Sequence, residues 1–186
     1  MKQPATKKTD NGHLLEKVCL RFDHLPNKKN IVVLDTNHGY GVVWKKVIKK
    51  SLKDIKVIGI ETRSLKEEIS LKGDNVKFLL AMDLSRFDII DIDSYGNPVP
   101  ALNAIIKNGT FKKDVHIFIT YIQRRLGGLG YAILCSIGYN KGMIRKIPSL
   151  FNIHPVEKMK AYLSTIGVKK IYRYGDERTN YIFFKL

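Results

Sequence analysis

The stretch NIVVLDTNHGYG, residues 30–41, decides the fold. Its first half is apolar and β-branched and ends in Asp35, which predicts a strand that is buried on both faces, as in a parallel sheet. Its second half holds Gly39 and Gly41 and predicts a tight loop. The residues that follow, 42–52, place apolar side chains at helical spacing with lysines between them, which predicts an amphipathic helix. The side chains expected to face inward are those of Val43, Val47 and Leu52.

The same alternation of short apolar runs and helical patterns continues along the chain. Residues 168–174 and 181–186 alternate in polarity on either side of a turn at Gly175, which predicts an antiparallel hairpin. The sequence therefore predicts an α/β fold with a seven-stranded, mostly parallel sheet, a C-terminal antiparallel hairpin and helices on both faces. Besides the first unit, we expect strands at residues 56–61, 76–81, 87–93 and 115–122 and helices at residues 13–24, 64–71, 100–107 and 155–166.

The charge balance is strongly basic, because 33 Lys and Arg against 17 Asp and Glu give a net charge of +16 at pH 7. Such a surplus indicates a polyanionic partner, nucleic acid before an anionic membrane surface. Cys19 and Cys135 lack CxxC spacing and the five histidines lack metal spacing, so we expect free thiols, no metal and a cytoplasmic protein. We expect one domain, residues 13–186, after a disordered polar tail at residues 1–12.

Acidic residues follow four of the predicted strands, and open α/β sheets bind ligands at the edge where the carboxyl ends of their strands meet. These acids are Asp35, Glu61, Asp83 and Asp93. An edge rich in acceptors suits a ligand rich in donors. A dinucleotide fits poorly, because Trp44 stands where its fingerprint needs a third glycine, and no phosphate-binding lysine follows the loop. The pattern favours a nucleoside-type ligand without phosphates, such as S-adenosylmethionine.

The ordered set of glycines and strand-end acids resembles the class I S-adenosylmethionine-dependent methyltransferases over residues 30–186. Within it, the segment DIDSYGNPVPAL, residues 91–102, is similar to the Asp-x-Asp-Pro-Tyr-Gly-x-Pro segment of the tRNA (guanine-N2-)dimethyltransferase family. Ser94 departs from that pattern, because the family has a proline there and proline stiffens the turn. The resemblance implies a Rossmann-like methyltransferase fold.

The resemblance also implies a role for each residue on the cofactor side of the site. Gly39 and Gly41 would let the backbone approach the ligand closely, which a Cβ atom would prevent. Asp35 would anchor the methionine end of S-adenosylmethionine. Glu61 would accept hydrogen bonds from the ribose hydroxyls, and Asp83 would accept one from the adenine amine.

On the acceptor side, the resemblance implies that Asp93 accepts a hydrogen bond from the exocyclic amine of a base and that Tyr95 stacks on that base. Asp91 lies inside the predicted strand, and we expect it to be a structural hydrogen-bond acceptor instead. A paired base cannot reach such a pocket, so the target base would be flipped out or already single-stranded.

Basic residues are concentrated in the second half of the chain, and those near the predicted ligand edge are candidate phosphate contacts. They are Arg124, Arg125, Lys141, Arg145 and Lys146. The resemblance favours RNA over DNA as the partner. We expect no separate recognition domain, so specificity would be low or come from a protein partner. Two alternatives stay open: a non-catalytic nucleic-acid-binding protein on a degenerate methyltransferase fold, and a methyltransferase for small molecules or proteins.

Overall fold

The computed structural model describes residues 13–62, 70–94, 97–122, 131–147, 155–175 and 179–186. The strands are β1 Asn30–Asp35, β2 Asp54–Glu61, β3 Ser70–Lys72, β4 Ile89–Ile92, β5 His116–Ile122, β6 Ile171–Gly175 and β7 Thr179–Lys185. The helices are α1 Leu14–Asp23, α2 Val42–Lys50, α3 Asn75–Ala81, α4 Val99–Asn108, α5 Tyr131–Ser136, α6 Lys141–Lys146 and α7 Pro155–Thr165. None of these helices is long and apolar enough to cross a bilayer. The tail predicted at residues 1–12 lies outside the described residues.

The strands form one sheet in the order β3-β2-β1-β4-β5-β7-β6. Neighbours from β3 to β5 are parallel, whereas β7 runs antiparallel to both β5 and β6. The predicted α/β fold with its C-terminal hairpin is therefore confirmed. After β3 the chain crosses to the other side of β1 to form β4. The carboxyl ends of β1 and β4 thus meet at a topological switch point, where open α/β sheets bind their ligands.

Each face of the sheet has its own apolar core. On one face, Val18 of α1 and the α2 residues Trp44 and Val47 pack against Phe118 and Phe183 of the sheet. The larger core on the other face contains apolar side chains of α3, α4 and α7. Helices thus lie on both faces of the sheet, as the sequence predicts.

The predicted third strand, residues 76–81, is wrong, because Asn75–Ala81 is helix α3. Asp74 caps this helix by accepting a hydrogen bond from the Lys77 backbone N–H at 2.9 Å. The third strand is instead β3, Ser70–Lys72, which overlaps the end of the helix predicted at residues 64–71. A short apolar run is equally consistent with a buried strand or a helix segment, and here the capping aspartate decides for the helix.

The orientation predicted for one side chain of the first helical unit, that of Leu52, is wrong. Helix α2 ends at Lys50, so Leu52 lies beyond it and is fully exposed, whereas Val47 is buried as expected. In α1, the side chain of Leu15 is exposed and that of Arg21 is buried. Arg21 is buried because its guanidinium pairs with the buried carboxylate of Asp91.

Candidate functional site

The last residue of β1, Asp35, is almost fully buried and orients the loop that follows it. Its Oδ2 lies 3.0 Å from Nδ1 of His38, and its Oδ1 accepts a hydrogen bond from the Asn37 N–H at 3.3 Å. The His38 ring lies against Gly59 of β2, where an added Cβ would be 2.4 Å from the ring. Gly59 is therefore required for this packing, and Asp35 and His38 together fix the loop over the ends of β1 and β2.

Glu61, the last residue of β2, holds the same loop from the other side. Its Oε2 accepts a hydrogen bond from the Gly39 N–H at 3.0 Å, and its Oε1 accepts from the backbone N–H of Thr62 at 2.9 Å. Gly39 has φ +53°, a conformation that side chains rarely adopt, and nothing lies within 4 Å of an added Cβ. The loop thus turns tightly and presents open space at Gly39 beside a carboxylate.

A polar cavity of about 110 Å³ opens beside Glu61. It is lined by Thr36, Asn37, Ile60, Glu61, Thr62, Gly73, Asp74 and Asn75. Typical small-molecule pockets measure about 300–1,000 Å³, so this cavity matches part of such a ligand. The carboxylates and amide oxygens in its wall are acceptors, which suits a ligand part that carries hydroxyl or amine donors.

A buried ion pair lies beneath the glycine loop, between α1 and β4. Arg21 donates from Nε and Nη2 to the two carboxylate oxygens of Asp91 at 2.6 and 2.7 Å, and both side chains are 1% exposed. Trp44 of α2 donates its Nε1–H to the same carboxylate at 2.8 Å. Burial raises the pKa of Asp91, and the facing guanidinium opposes that rise. The expectation that Asp91 is a structural acceptor agrees with these contacts.

Asp93 lies one residue beyond β4 and is bound by a lysine of α1. Lys17 Nζ is 2.7 and 2.9 Å from the two carboxylate oxygens. Burial alone would raise the pKa of Asp93, but the charges of Arg21 and Lys17 lower it below its ordinary value. Asp93 is thus ionised at neutral pH, and a carboxylate with two bonds to one ammonium still has lone pairs for another donor.

The structure brings three of the four predicted acids to the switch-point edge, namely Asp35, Glu61 and Asp93. The placement of Asp83 at the end of the third strand is wrong. Asp83 instead caps a short 3₁₀ helix, Leu84–Arg86, by accepting from the Ser85 N–H at 3.0 Å. This helix precedes β4, so Asp83 lies toward the opposite edge. The acid that follows the true third strand and lines the cavity is Asp74.

The remaining predicted residues divide into two groups. Tyr95, Arg124 and Arg125 lie outside the described residues, so their predicted roles stay predictions. On helix α6 the side chains of Lys141, Arg145 and Lys146 are all exposed. The helix inserts Ile144 into the core and so presents its basic residues to solvent.

Sequence reasoning missed the residues that hold these acids in place. His38 looks like an ordinary turn residue, and Lys17 and Arg21 look like the solvated side of α1. A signal existed for Arg21, because an aspartate inside an apolar strand needs a buried cation. Which of the 33 basic residues supplies it could not be read from the pattern.

No protein-family model and no curated protein matches this sequence. Solved structures do match its fold. A SAM-dependent methyltransferase from Archaeoglobus fulgidus is 15% identical with a TM-score of 0.58 over 92% of this chain and 93% of that one. A putative S-adenosylmethionine-dependent methyltransferase from Methanococcus maripaludis is 18% identical, with a TM-score of 0.53 over 92% of this chain and 84% of that one. Haemonchus contortus phosphoethanolamine N-methyltransferase 2, in complex with S-adenosylmethionine, is 11% identical, with a TM-score of 0.56 over 92% of this chain and 51% of that one. The chain therefore has the Rossmann-like fold of class I methyltransferases.

Proposed function

We propose that this chain is an S-adenosylmethionine-dependent methyltransferase that acts on an exocyclic base amine of nucleic acid, RNA rather than DNA. The observation that carries the proposal is the meeting of Asp35, the Gly39 loop, Glu61 and Asp93 at the switch point of a methyltransferase-like sheet. Fold alone does not define an activity. The argument therefore rests on the chemistry of these side chains.

The cofactor side of the edge fits S-adenosylmethionine by its donor and acceptor chemistry. Glu61 and Asp74 line the cavity with carboxylate acceptors suited to hydroxyls and an amine, and the space at Gly39 admits close backbone approach. Asp35 is fixed by its contact with His38 close to the loop. These residues would hold the ribose, the adenine and the methionine end of the cofactor.

The acceptor side of the edge is Asp93. When bound, S-adenosylmethionine supplies a methyl group on a positively charged sulfur. Asp93, held ionised by Lys17 and Arg21, would accept a hydrogen bond from the target amine and so orient its nitrogen lone pair. Methyl transfer depends mainly on such positioning, which a carboxylate fixed by two neighbouring cations provides.

Replacing Glu61 by alanine should weaken S-adenosylmethionine binding by about 1–3 kcal/mol, or roughly five- to 150-fold. The change removes the acceptor in the cavity and the anchor of the Gly39 N–H at once. Calorimetric titration measures the affinity. Asp54→Ala is the matched control, because Asp54 is an exposed acid at the opposite end of the same strand. Absence of wild-type binding at millimolar cofactor would remove the methyltransferase proposal.

The nucleic-acid part of the proposal rests on charge. The net charge is +16, and helix α6 presents Lys141, Arg145 and Lys146 to solvent without an acid in its sequence. Tyr131, at the start of the neighbouring helix α5, is 41% exposed and offers a ring for stacking on a base. Exposed cations and an exposed ring on two helices in contact suit single-stranded nucleic acid.

Replacing Lys141, Arg145 and Lys146 together by alanine should make RNA binding less sensitive to salt. The slope of log affinity against log salt is negative, and each lost phosphate contact reduces its magnitude by about 0.7. Loss of three contacts should therefore reduce the magnitude by about 2. Fluorescence anisotropy with a single-stranded RNA at several salt concentrations measures the slope. Alanine at Lys46, Lys49 and Lys50 of α2 removes the same charge as a control. A flat salt dependence for the wild type would favour the small-molecule or protein methyltransferase.

One observation favours a second candidate function. Lys17 already contacts both oxygens of the Asp93 carboxylate, the group that the target amine would have to reach. If that pair does not yield to a ligand, the chain is a nucleic-acid-binding protein on a methyltransferase fold without activity. Cofactor binding without methyl transfer to any RNA would favour this candidate.

A further inference from the structure

A row of three polar side chains crosses the end of the sheet on the face that α1 covers. Asp93 follows Ile92, which pairs with Ile119 of β5, so Thr120 lies beside Asp93 on the neighbouring strand. Thr120 in turn is directly opposite Tyr181 of β7. Residues that are opposite each other in a sheet share a face, and Tyr181 packs in the core that contains α1. The three side chains therefore lie next to one another beneath that helix.

Lys17 of α1 contacts both ends of this row. Its Nζ is 2.7 and 2.9 Å from the two carboxylate oxygens of Asp93 and 5.7 Å from the centroid of the Tyr181 ring. A cation within about 6 Å of a ring centroid is attracted by the aromatic face. The ring therefore offers the ammonium a second partner when it gives up a carboxylate oxygen.

Thr120, in the middle of the row, is buried, and its hydroxyl is unpaired. The residue is 1% exposed, and Oγ1 makes no hydrogen bond with the described part of the chain. The hydroxyl is nonetheless near enough to Asp93 to help lower the pKa of that carboxyl group. Folded proteins pair the large majority of buried hydroxyls, because an unpaired one costs free energy. An unpaired donor beside a carboxylate thus indicates a hydrogen bond that forms in another state of the site.

Building on the proposed function, we infer that Thr120 is a positioning residue, which donates to Asp93 when the Lys17 ammonium moves toward the tyrosine ring and admits the target amine. The carboxylate then accepts from the amine through one oxygen and from the threonine hydroxyl through the other. This exchange keeps the carboxylate ionised and fixed after its cation has moved. It also explains how a carboxylate with both oxygens on Lys17 can bind the amine.

The pKa of Asp93 reports on this exchange without RNA or S-adenosylmethionine. Thr120 is uncharged, so its replacement by valine removes the hydroxyl and leaves the charges of the cluster in place. NMR titration of isotope-labelled aspartate carboxyl groups measures the pKa. The charged groups of the cluster around Asp93 are Lys17 and Arg21 on α1, Asp91 on β4 and Asp35 on β1.

Thr120→Val should raise the pKa of Asp93 more in a Lys17→Met background than in the wild type. Without the lysine, the hydroxyl pairs with the carboxylate, so the substitution removes a hydrogen bond that has formed; such coupling is what a double-mutant cycle measures. Tyr121→Phe is the matched control, because it removes another buried, unpaired hydroxyl of the described chain, in the core on the opposite face. It should leave the pKa of Asp93 unchanged. An equal rise in the two backgrounds for Thr120→Val, or no rise, overturns the inference.

Methyl transfer to a single-stranded RNA provides the second readout. Thr120→Val should lower kcat/KM by about tenfold, the loss of one hydrogen bond to a charged group, and Thr120→Ser should retain the wild-type value. The thermal midpoint of Thr120→Val should stay unchanged or rise, since the hydroxyl is unpaired in the described structure. Wild-type kcat/KM for Thr120→Val would overturn the positioning role and leave the proposed function standing. A wild type that binds S-adenosylmethionine and methylates no RNA would overturn the proposed substrate, and the NMR titration would still decide the role of Thr120.

Discussion

Replacing Arg21 by methionine is expected to lower the free energy of unfolding by about 3–5 kcal/mol, because it leaves Asp91 as an uncompensated buried charge. The guanidinium makes two hydrogen bonds to that carboxylate, and both side chains are almost completely buried. Urea unfolding followed by circular dichroism measures the loss. At this size the effect is a large part of the stability of an ordinary domain.

The loss caused by Arg21→Met should depend on pH in a defined direction. Burial raises the pKa of Asp91 in the folded state, and removal of the guanidinium raises it further. When a carboxylic acid has a higher pKa in the folded state than in the unfolded state, the free energy of unfolding falls as pH rises from the unfolded-state pKa to the folded-state pKa. The difference in free energy of unfolding between the wild type and Arg21→Met should therefore be smaller at pH 5 than at pH 8.

Lys160→Met is the matched control for Arg21→Met, because Lys160 pairs with Glu157 on the exposed side of α7. Exposed pairs contribute about 0–1 kcal/mol, so this change should have little effect. Replacing Arg21 by methionine and Asp91 by leucine together should recover part of the loss, since no unpaired charge is left. A loss for Arg21→Met no larger than that of the control would contradict the structural role of the pair.

Asp93→Ala should reduce methyl transfer by about 10²–10³-fold, the range found when one group that stabilises a transition state is removed. S-adenosylmethionine affinity should change little, because Asp93 lies at the end of β4 and the cavity lies between β2 and α3. A radiolabelled methyl-transfer assay and calorimetry separate the two effects. Methyl transfer by Asp93→Ala at the wild-type rate would exclude Asp93 as the amine acceptor.

Lys17→Met complements the Asp93 variant. Arg21 and Lys17 both lower the pKa of Asp93, so removal of Lys17 should raise that pKa. A carboxylate must be ionised to accept from the amine, so the activity of Lys17→Met should fall at a higher pH than that of the wild type as the solution is acidified. An unchanged acid limb would mean that the Asp93 charge does not control the rate.

The fold was predictable from the sequence because its central strands are short apolar runs bounded by acids and glycines. Strand β1 occupies residues 30–35 as predicted, and the C-terminal hairpin lies where the alternation places it. The strand predicted at residues 76–81 is wrong because a run of six apolar and polar residues has no unique period. The Asp74-Asn75 cap before them was the signal for helix α3.

The acids of the site were largely predictable, but their partners were not. Asp35, Glu61 and Asp93 follow from the rule that ligands bind at strand ends. The error at Asp83 came from the misplaced strand, which moved the expected acid away from Asp74. Lys17, Arg21 and His38 act through contacts with residues distant in sequence or through a loop conformation, and neither leaves a periodic trace.

The ion pair between Arg21 and Asp91 also constrains how the chain is made. The two residues are separated by 70 positions, so a ribosome completes the first helix long before the strand that receives its arginine. Until then Arg21 of that helix lacks its partner carboxylate in the nascent chain. Formation of the sheet centre must therefore await closure of a long loop, which is the kind of non-local pairing that slows folding. Synthesis halted before Asp91 leaves a segment that cannot complete its own core.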